Sequence, residues 1–324
     1  MAFRLKLVPE QTNINFFGIQ WLTFGASIAL MVASIVIIAV MGLNFGVDFQ
    51  GGTTIRTESV NAVDVGAYRQ SLTALNLGDA TITEVTDPTF RDDQHVAQIR
   101  IGPREGEEAV TPDTIQAVED ALKTVDPAVT FTSVESVGPK VSGELIQKSV
   151  IAVVVASIGI LIYVWLRFEW QMAVGSVASI VHDVLVTVGI FSLFQIKFDL
   201  NIVAALLTIL GYSMNDCVVV FDRLRENLAK YKKMSLFDHL NLSANEMLSR
   251  TVMTGTTTIL ALLSLLIWGG DVLRGFAFAM ILGVVLGTYS TLYMAKNIVL
   301  ILGLDRSDKK KKRESVDKYS NIGK

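Results

Sequence analysis

Six apolar runs, each long enough to cross a lipid bilayer, constrain this chain more than any other feature. A bilayer core takes about 20 consecutive apolar residues of helix. A chain inside it must pair its own backbone N–H and C=O groups, which leaves helices or closed barrels. The runs are Trp21 to Leu43, Ser149 to Leu166, Met172 to Phe194, Leu200 to Phe221, Thr251 to Trp268 and Phe276 to Leu304. Their length and block pattern predict six transmembrane helices. With 51% hydrophobic and only 18% charged residues, the 324-residue chain is too apolar for a soluble protein of this size. The first run has a longer apolar core than a cleaved signal peptide and no small-x-small site after it, so an uncleaved anchor is expected. The last run is long and carries Lys296 near its end, so tilt or extension past the membrane is expected. The single cysteine, Cys217, lies inside the fourth run, so no disulfide forms within the chain and cysteine usage does not report the redox compartment.

Basic residues set the expected orientation. Arg4 and Lys6 precede the first run, Arg167 lies between the second and third, and Arg223, Arg225, Lys230, Lys232, Lys233 and Arg250 lie between the fourth and fifth. Lys309 to Lys312 and Arg313 follow the sixth. Six crossings put all of these on one side, while the opposite short loops hold only Lys197 and Arg274. Positive residues stay cytoplasmic, so both termini are expected there. The predicted layout is a cytoplasmic segment 1–20, a first helix 21–43, an exported domain 44–148, helices two to six over 149–304 with a cytoplasmic loop 222–250, and a basic tail 305–324. The loop 222–250 is amphipathic and basic, which suits a segment lying along the membrane surface. The basic tail suits anionic lipid.

The exported segment is acidic, with about seventeen carboxylates against about eight basic residues. Its pattern predicts a strand at Thr53–Thr57, a helix at Val63–Leu75 capped by Asn61, strands at Ala80–Thr86 and His95–Ile101, a helix from Thr111-Pro112 to Lys123, and a strand at Val129–Val137. The order strand, helix, strand, strand, helix, strand is the split βαβ, ferredoxin-like α+β arrangement. No catalytic cluster stands out in it, and His95 reads as a strand-surface residue.

Asp216 lies within the fourth apolar run. A carboxylate at the centre of a membrane helix is unfavourable by about 2.5–3.5 kcal/mol. Such a residue is a functional candidate by default: it needs a partner charge, a water-filled cleft or a proton that comes and goes. Asn201, Thr208, Tyr212, Asn215 and Asp216 recur at helical spacing, a polar side that faces protein or water. Interhelical hydrogen bonding is the plain alternative. Arg250 opens the fifth run with Thr251, Thr254, Gly255 and Thr258 on one face. It reads either as a snorkelling anchor or as the partner of Asp216. His182-Asp183 sits mid-way along the third run; adjacent residues point about 100° apart, so the two are not expected to face the same neighbour. Either one joins the Asp216 cluster, where a histidine could relay protons, or the two form a buried hydrogen-bonded pair. Gly275, Ala279, Gly283, Gly287 and Thr291 form a small-residue stripe every four positions, a close-packing signal. Gly46-Val47-Asp48-Phe49-Gln50-Gly51-Gly52-Thr53 predicts a tight turn at the membrane surface through Asp48, Gly51 and Gly52. No Gly-Lys-Ser/Thr follows, so it is not a phosphate loop.

The segment Gly211-Tyr-Ser-Met-Asn-Asp216-Cys-Val-Val-Val-Phe-Asp-Arg223-Leu-Arg225-Glu226-Asn227 closely resembles the fourth-helix signature of the SecF family, subunits of the SecDF accessory complex of bacterial protein export. The Gly-Val-Asp-Phe-Gln-Gly-Gly-Thr segment, the His182-Asp183 pair and the Ser249-Arg250-Thr251 junction resemble other motifs of that family, over nearly the whole chain. Cys217 departs from it, since Thr is common there. The resemblance implies a half-transporter related to the resistance-nodulation-division superfamily. Its partners would be a SecD-type six-helix subunit, the SecYEG translocon, YajC- or YidC-type proteins, unfolded preprotein and membrane lipid, in the bacterial inner membrane. It implies that protons drive movement of the periplasmic domain and assist late release of preproteins. Asp216 and Arg250 would then lie on the proton pathway, supported by Asn215, Tyr212, Ser213, His182, Asp183 and Thr254. No enzyme activity, cofactor, metal or nucleic acid is expected; the proton is the coupling ion. Competing readings are a small-molecule exporter subunit, a passive assembly scaffold, and an intramembrane serine protease using Ser213 with His182. The string around Ser213 lacks the second glycine of a nucleophile elbow.

Overall fold

A computed structural model describes residues 9, 12–75, 77, 80–85, 91, 93–102 and 110–304. Arg4, Lys6, the strand end at Thr86 and the basic tail 305–324 lie outside the described residues. The helices are α1 (Gln20–Met41), a single turn α2 (Val47–Gln50), α3 (Val65–Thr73), α4 (Pro112–Val125), α5 (Pro139–Arg167), α6 (Trp170–Leu193), α7 (Leu200–Lys230), α8 (Leu236–Trp268), α9 (Gly270–Ser290) and α10 (Lys296–Leu302). The strands are β1 (Gly52–Ser59), β2 (Ala80–Val85), β3 (His95–Ile101) and β4 (Thr130–Val137). Six stretches are long and apolar enough to cross a membrane: α1, α5, α6, α7, α8 and Leu273–Leu302. The chain divides into a helical unit (residues up to Gly42, 156–193 and from 205 on) and an α+β unit (Leu43–Val155 with Phe194–Ala204).

In the α+β unit the sheet order is β2-β3-β1-β4, and each neighbouring pair is antiparallel. Thr53 pairs with Ile101 on one side of β1, and Gly52 with Val137 on the other. Ile55, Ile82, Ala97, Ile99 and Ile101 from the sheet meet Tyr68 and Leu72 of α3 and Val118 and Leu122 of α4 in one buried core. Thr111 caps α4, accepting from Thr114 N at 3.3 Å, and Pro112 takes the first helical position, where its missing N–H removes no bond.

The cap of α3 corrects the sequence reading. Asp64, not Asn61, accepts from Ala67 N at 2.9 Å, because a cap bonds the amide three residues on. Asn61 instead donates to Asp126 Oδ1 at 2.7 Å. Burial pushes the Asp126 carboxyl up, but hydrogen bonds from Ser59, Asn61, Ala128 N and Tyr68 together outweigh it and hold it below the ordinary value. The Tyr68 hydroxyl is pushed up to about 12, first by burial and then by the charge and hydrogen bond of Asp126.

The helical unit packs around Val164, Phe168, Met172, Leu210, Met214, Cys217, Phe221, Leu224, Leu240 and Val299. Large apolar side chains stay outward on α1 (Leu22, Val40) and α5 (Val155, Leu166), a surface suited to lipid. The small-residue stripe has a definite counterpart on α7. A Cβ on Gly283 would fall on the side chain of Ile209, one on Gly287 would lie 3.5 Å from Ser213 Cβ, and Thr291 Oγ1 lies 3.3 Å from Cys217 Sγ. Both helices advance by four residues per contact, so the sixth span runs parallel to the fourth in matched register.

Two further expectations are corrected. The segment 222–250 is not a surface loop: α7 continues to Lys230 and α8 begins at Leu236 behind a Ser235 cap. Its amphipathic pattern serves packing within a helical hairpin, where Leu224 and Leu240 are fully buried. Arg223 donates to Glu246 at 2.7 Å, and Asn227 to Ser243 at 3.0 Å and Glu246 at 2.6 Å. The sixth span is not one regular helix, since a π-helical turn, Thr291–Ala295, interrupts it. The N-terminal strap is tied to α8: the Asn245 side chain accepts from Ile14 N at 2.7 Å and donates to Ile14 O at 2.9 Å, and Asn241 accepts from Phe16 N at 3.1 Å.

Packing and electrostatics each give a test. Gly283→Ala should lower the stability of the purified protein by about 1–3 kcal/mol through overpacking against Ile209, while Gly287→Ala, in ordinary contact range, should unfold thermally near the native temperature. Asp126→Ala should destabilise the α+β unit by about 1.5–3 kcal/mol near neutral pH, read from hydrogen exchange of β1 amides in the full chain. The folded value of Asp126 is depressed, so its stabilisation is present above the ordinary carboxylate range and is lost as pH falls through the folded value. Native and variant should therefore converge in acid.

Candidate functional site

Helix α7 places Asp216 inside the helical unit, where only 3% of its surface is exposed. Its Oδ2 has no hydrogen-bond partner, and among the described residues no cation stands within 4.0 Å of the carboxylate. Arg250, exposed on α8, acts on it only through a longer electrostatic interaction, and the charge of Asp183 reaches it as well. A direct Asp216–Arg250 ion pair is thus absent among the described residues. Thr254 also stands apart, because its hydroxyl donates to Arg250 O of its own helix at 2.9 Å. Asn215 and Thr208 are exposed on α7, and the half-buried Tyr212 turns its hydroxyl toward Thr258 and Gly255.

The dense part of the cluster lies around Asp183 on α6. Asp183 Oδ2 accepts from Ser213 Oγ of α7 at 2.6 Å and from Ser290 Oγ of α9 at 2.8 Å. Ser179 Oγ donates to Ser290 Oγ at 2.6 Å, and all four side chains are fully buried. One carboxylate therefore joins three helices. His182 and Asp183 meet as a buried hydrogen-bonded pair, the plainer of the two sequence readings: Nδ1 lies 2.9 Å from Oδ1. The buried Nε2 of His182 has no hydrogen-bond partner among the described residues.

Sequence reasoning passed over several members. Ser179 and Ser290 carry no signal beyond being hydroxyls in apolar helices. Tyr289 stacks near His182, with ring centroids 6.2 Å apart, and its hydroxyl donates to Thr23 O at 2.8 Å and accepts from Ser27 at 3.2 Å. Lys296 is fully buried, with Nζ 4.5 Å from the Phe16 ring and 5.1 Å from Phe17, the geometry of a cation–π contact. Its sequence position near the end of an apolar run gave no hint of that enclosure.

The Asp48 segment belongs to the α+β unit. Gly51 and Gly52 take φ of 69° and 97°, a left-handed backbone that glycine adopts freely, and they turn the chain from α2 into β1. Asp48 Oδ2 accepts from Leu200 N at 3.0 Å, at the start of α7. Asp199 Oδ1 accepts from Asn201 N and Ile202 N, at 3.0 and 3.3 Å. Burial pushes the Asp199 carboxyl up, against the pull of Lys197, and the charge of Asp48 adds to the rise.

No group of three or more His, Cys, Asp or Glu side chains able to hold a metal occurs among the described residues. What the arrangement can do chemically is hold and pass protons. An unpartnered buried carboxylate sits one helical turn from Ser213, whose hydroxyl is bonded to a second carboxylate backed by an imidazole. Removing Asp183 tests its part. Asp183→Asn should loosen the three-helix junction and lower thermal stability by about 1.5–3 kcal/mol, whereas Ser213→Ala, which leaves Ser290 and His182 on the carboxylate, should lose about 1 kcal/mol in the same melt.

The family described as protein export membrane protein SecD/SecF, C-terminal, matches residues 117–305, and the SecD/SecF GG motif matches 36–63. The chain is 64% identical to protein translocase subunit SecF of Cereibacter sphaeroides, over 99% of both chains. It is 61% identical to SecF of Rhodobacter capsulatus, over 100% of this chain and 98% of that one. Among solved structures, SecDF from Thermus thermophilus, described as a translocon-associated membrane protein, superposes with a TM-score of 0.79 at 33% identity. That match covers 91% of this chain and 39% of the solved one, so the chain spans about two-fifths of SecDF. The super-membrane-facing form of SecDF matches at a TM-score of 0.66, also at 33% identity, over 97% of this chain and 41% of that one.

Proposed function

The chain belongs to the SecD/SecF family of protein-export membrane proteins, and from that premise we propose that it is the SecF-type half of a proton-driven accessory to Sec protein translocation. One observation carries the reading: Asp216 is buried in a membrane helix with an oxygen that nothing bonds. An acid in such a place is tolerated where it exchanges protons or meets a partner that the single chain lacks. Polar side chains exposed at the level of α7 and α8, Asn215 and Arg250 among them, support a second six-helix subunit of SecD type covering that face. On this reading Asp216 loads and releases the proton, Arg250 sets the field around it, and His182 and Asp183 form the reserve beside it.

The α+β unit is then a ferredoxin-like periplasmic domain that moves with proton entry and assists late release of preproteins. Both termini are cytoplasmic, the membrane is the bacterial inner membrane, and SecYEG with YajC- or YidC-type proteins completes the assembly. The proton gradient is adequate in magnitude: one charge crossing 100 mV releases about 2.3 kcal/mol, enough to bias a two-state helix arrangement. A serine protease finds no support, because the Ser213 hydroxyl donates to Asp183 rather than to His182.

The test is Asp216→Asn in the full complex reconstituted into vesicles. Gradient-stimulated export should fall to the level seen without a gradient, while the variant still co-purifies with its six-helix partner. Full export from that variant defeats the proton reading, and loss of assembly makes Asp216 a scaffold residue. Arg250→Lys keeps the charge but loses the planar fork, and should reduce gradient-driven export only partly, since no bidentate contact is broken.

A further inference from the structure

The proposed motor leaves one arrangement unused: the segment after α1 grips the start of α7. Phe198 N donates to Asn44 O at 2.7 Å and Gly46 N to Phe198 O at 2.9 Å, a two-bond parallel bridge between the segment and the connection that leads into α7. Asn44 Nδ2 adds a bond to Gln195 O at 2.8 Å. Gln195 is held at φ of 50°, unusual for a residue with a side chain. Phe45, Phe49 and Phe198 form an aromatic trio with centroids 5.9 to 6.1 Å apart. A Cβ on Gly46 would lie 3.0 Å from the Lys197 side chain and 3.2 Å from that of Asp199, a tight fit that glycine relieves. Asp48 then bonds the first amide of α7, and Lys197 Nζ donates to Glu135 Oε2 of β4 at 2.8 Å.

The geometry points to Asp48 as a positioning residue in a coupling clasp, which hands displacement of α7 to the sheet of the α+β unit. An isolated tight turn needs none of these long-range bonds. The segment leads directly into β1 through Gly51 and Gly52, and Glu135 sits opposite Thr54 on the neighbouring strand, so β1 is linked through Asp48 to the first amide of α7 and β4 through Lys197 to the connection just ahead of it. Asp216 lies sixteen residues further along that same helix, about four and a half turns away. A helix transmits axial shift or rotation as a rigid element, and its amino end carries orphan N–H groups for a carboxylate to hold. Asp48 therefore touches neither proton nor preprotein and acts through α7. The inference rests on the proton-driven reading above.

The test separates coupling from proton movement in the full complex, in vesicles with an imposed gradient. Asp48→Ala should leave gradient-driven proton uptake near native while gradient-stimulated export falls about tenfold. Asp48→Asn, which keeps an acceptor oxygen, should restore most of the export. Lys197→Glu and Glu135→Lys should each weaken export, and the doubly reversed protein should recover it. Native export from Asp48→Ala overturns the clasp, and so does equal loss of uptake and export in a variant that assembles. Hydrogen exchange on the same complex decides the question even where the native protein shows no gradient-dependent export, an outcome that would sink the motor reading alone. With a clasp, Asp48→Ala raises exchange together at the first turn of α7 and along β1 and β4, and Asp48→Asn does not; loosening confined to α7 overturns it.

Discussion

Close approach of the fourth and sixth spans is the constraint on which the rest of the helical unit depends. Ser213 and Ser290 have short side chains and reach one carboxylate oxygen of Asp183 where α9 lies close against α7, an approach that Gly283 permits because a Cβ there would fall on Ile209. The small residues are thus a precondition of the polar junction, not a separate packing feature. In lipid there is no hydrophobic gain from bringing two apolar helices together, so contact must come from dispersion and from bonds such as these. The stripe and the hydroxyls act as one device.

Two carboxylates in the same unit have opposite surroundings. Asp183 accepts from two hydroxyls and adjoins an imidazole, and its bonds reach three helices. Asp216 is nearly as buried, and its Oδ2 has no bond among the described residues. In the reading proposed above, the satisfied group fixes structure and the unsatisfied one changes its state. Asp216 lies within the electrostatic reach of both Asp183 and Arg250. A change of charge there is therefore felt by the junction without passing through any covalent step.

The spans, the element order of the α+β unit and the place of Asp216 inside an apolar helix could be read from the chain, because apolar length, period-two and period-3.6 patterns and an acid within an apolar run are local signals. What escaped reading was set by partners distant in sequence. The stretch 222–250 has the amphipathic pattern of a surface helix, and the same pattern serves a hairpin that buries Leu224 against Leu240. Arg250 and Asp216 share helix ends, yet spacing along a chain does not fix the distance between two helices. Ser290 and Ser179 look like ordinary membrane-helix serines until Asp183 is placed beside them. The π-helical turn at Thr291–Ala295 has no sequence rule, although it carries the hydroxyl that meets Cys217. That contact gives Cys217, where the resemblance leads one to expect Thr, a place against the sixth span.

Lys296 completes the argument about where movement is confined. A buried lysine whose Nζ has no hydrogen-bond partner among the described residues is costly, and here two aromatic faces lie against it. Those rings belong to the strap 12–19, which Asn241 and Asn245 bind to α8 through backbone-like pairs of bonds. The carboxyl end of the sixth span is thereby pinned to the strap, as its middle is pinned to α6 and α7 at Asp183. Helices fastened at both levels do not slide independently, so a change at Asp216 acts on them as a set. The amino end of α7 lies at Leu200, where a carboxylate from outside the membrane helices holds its first amide.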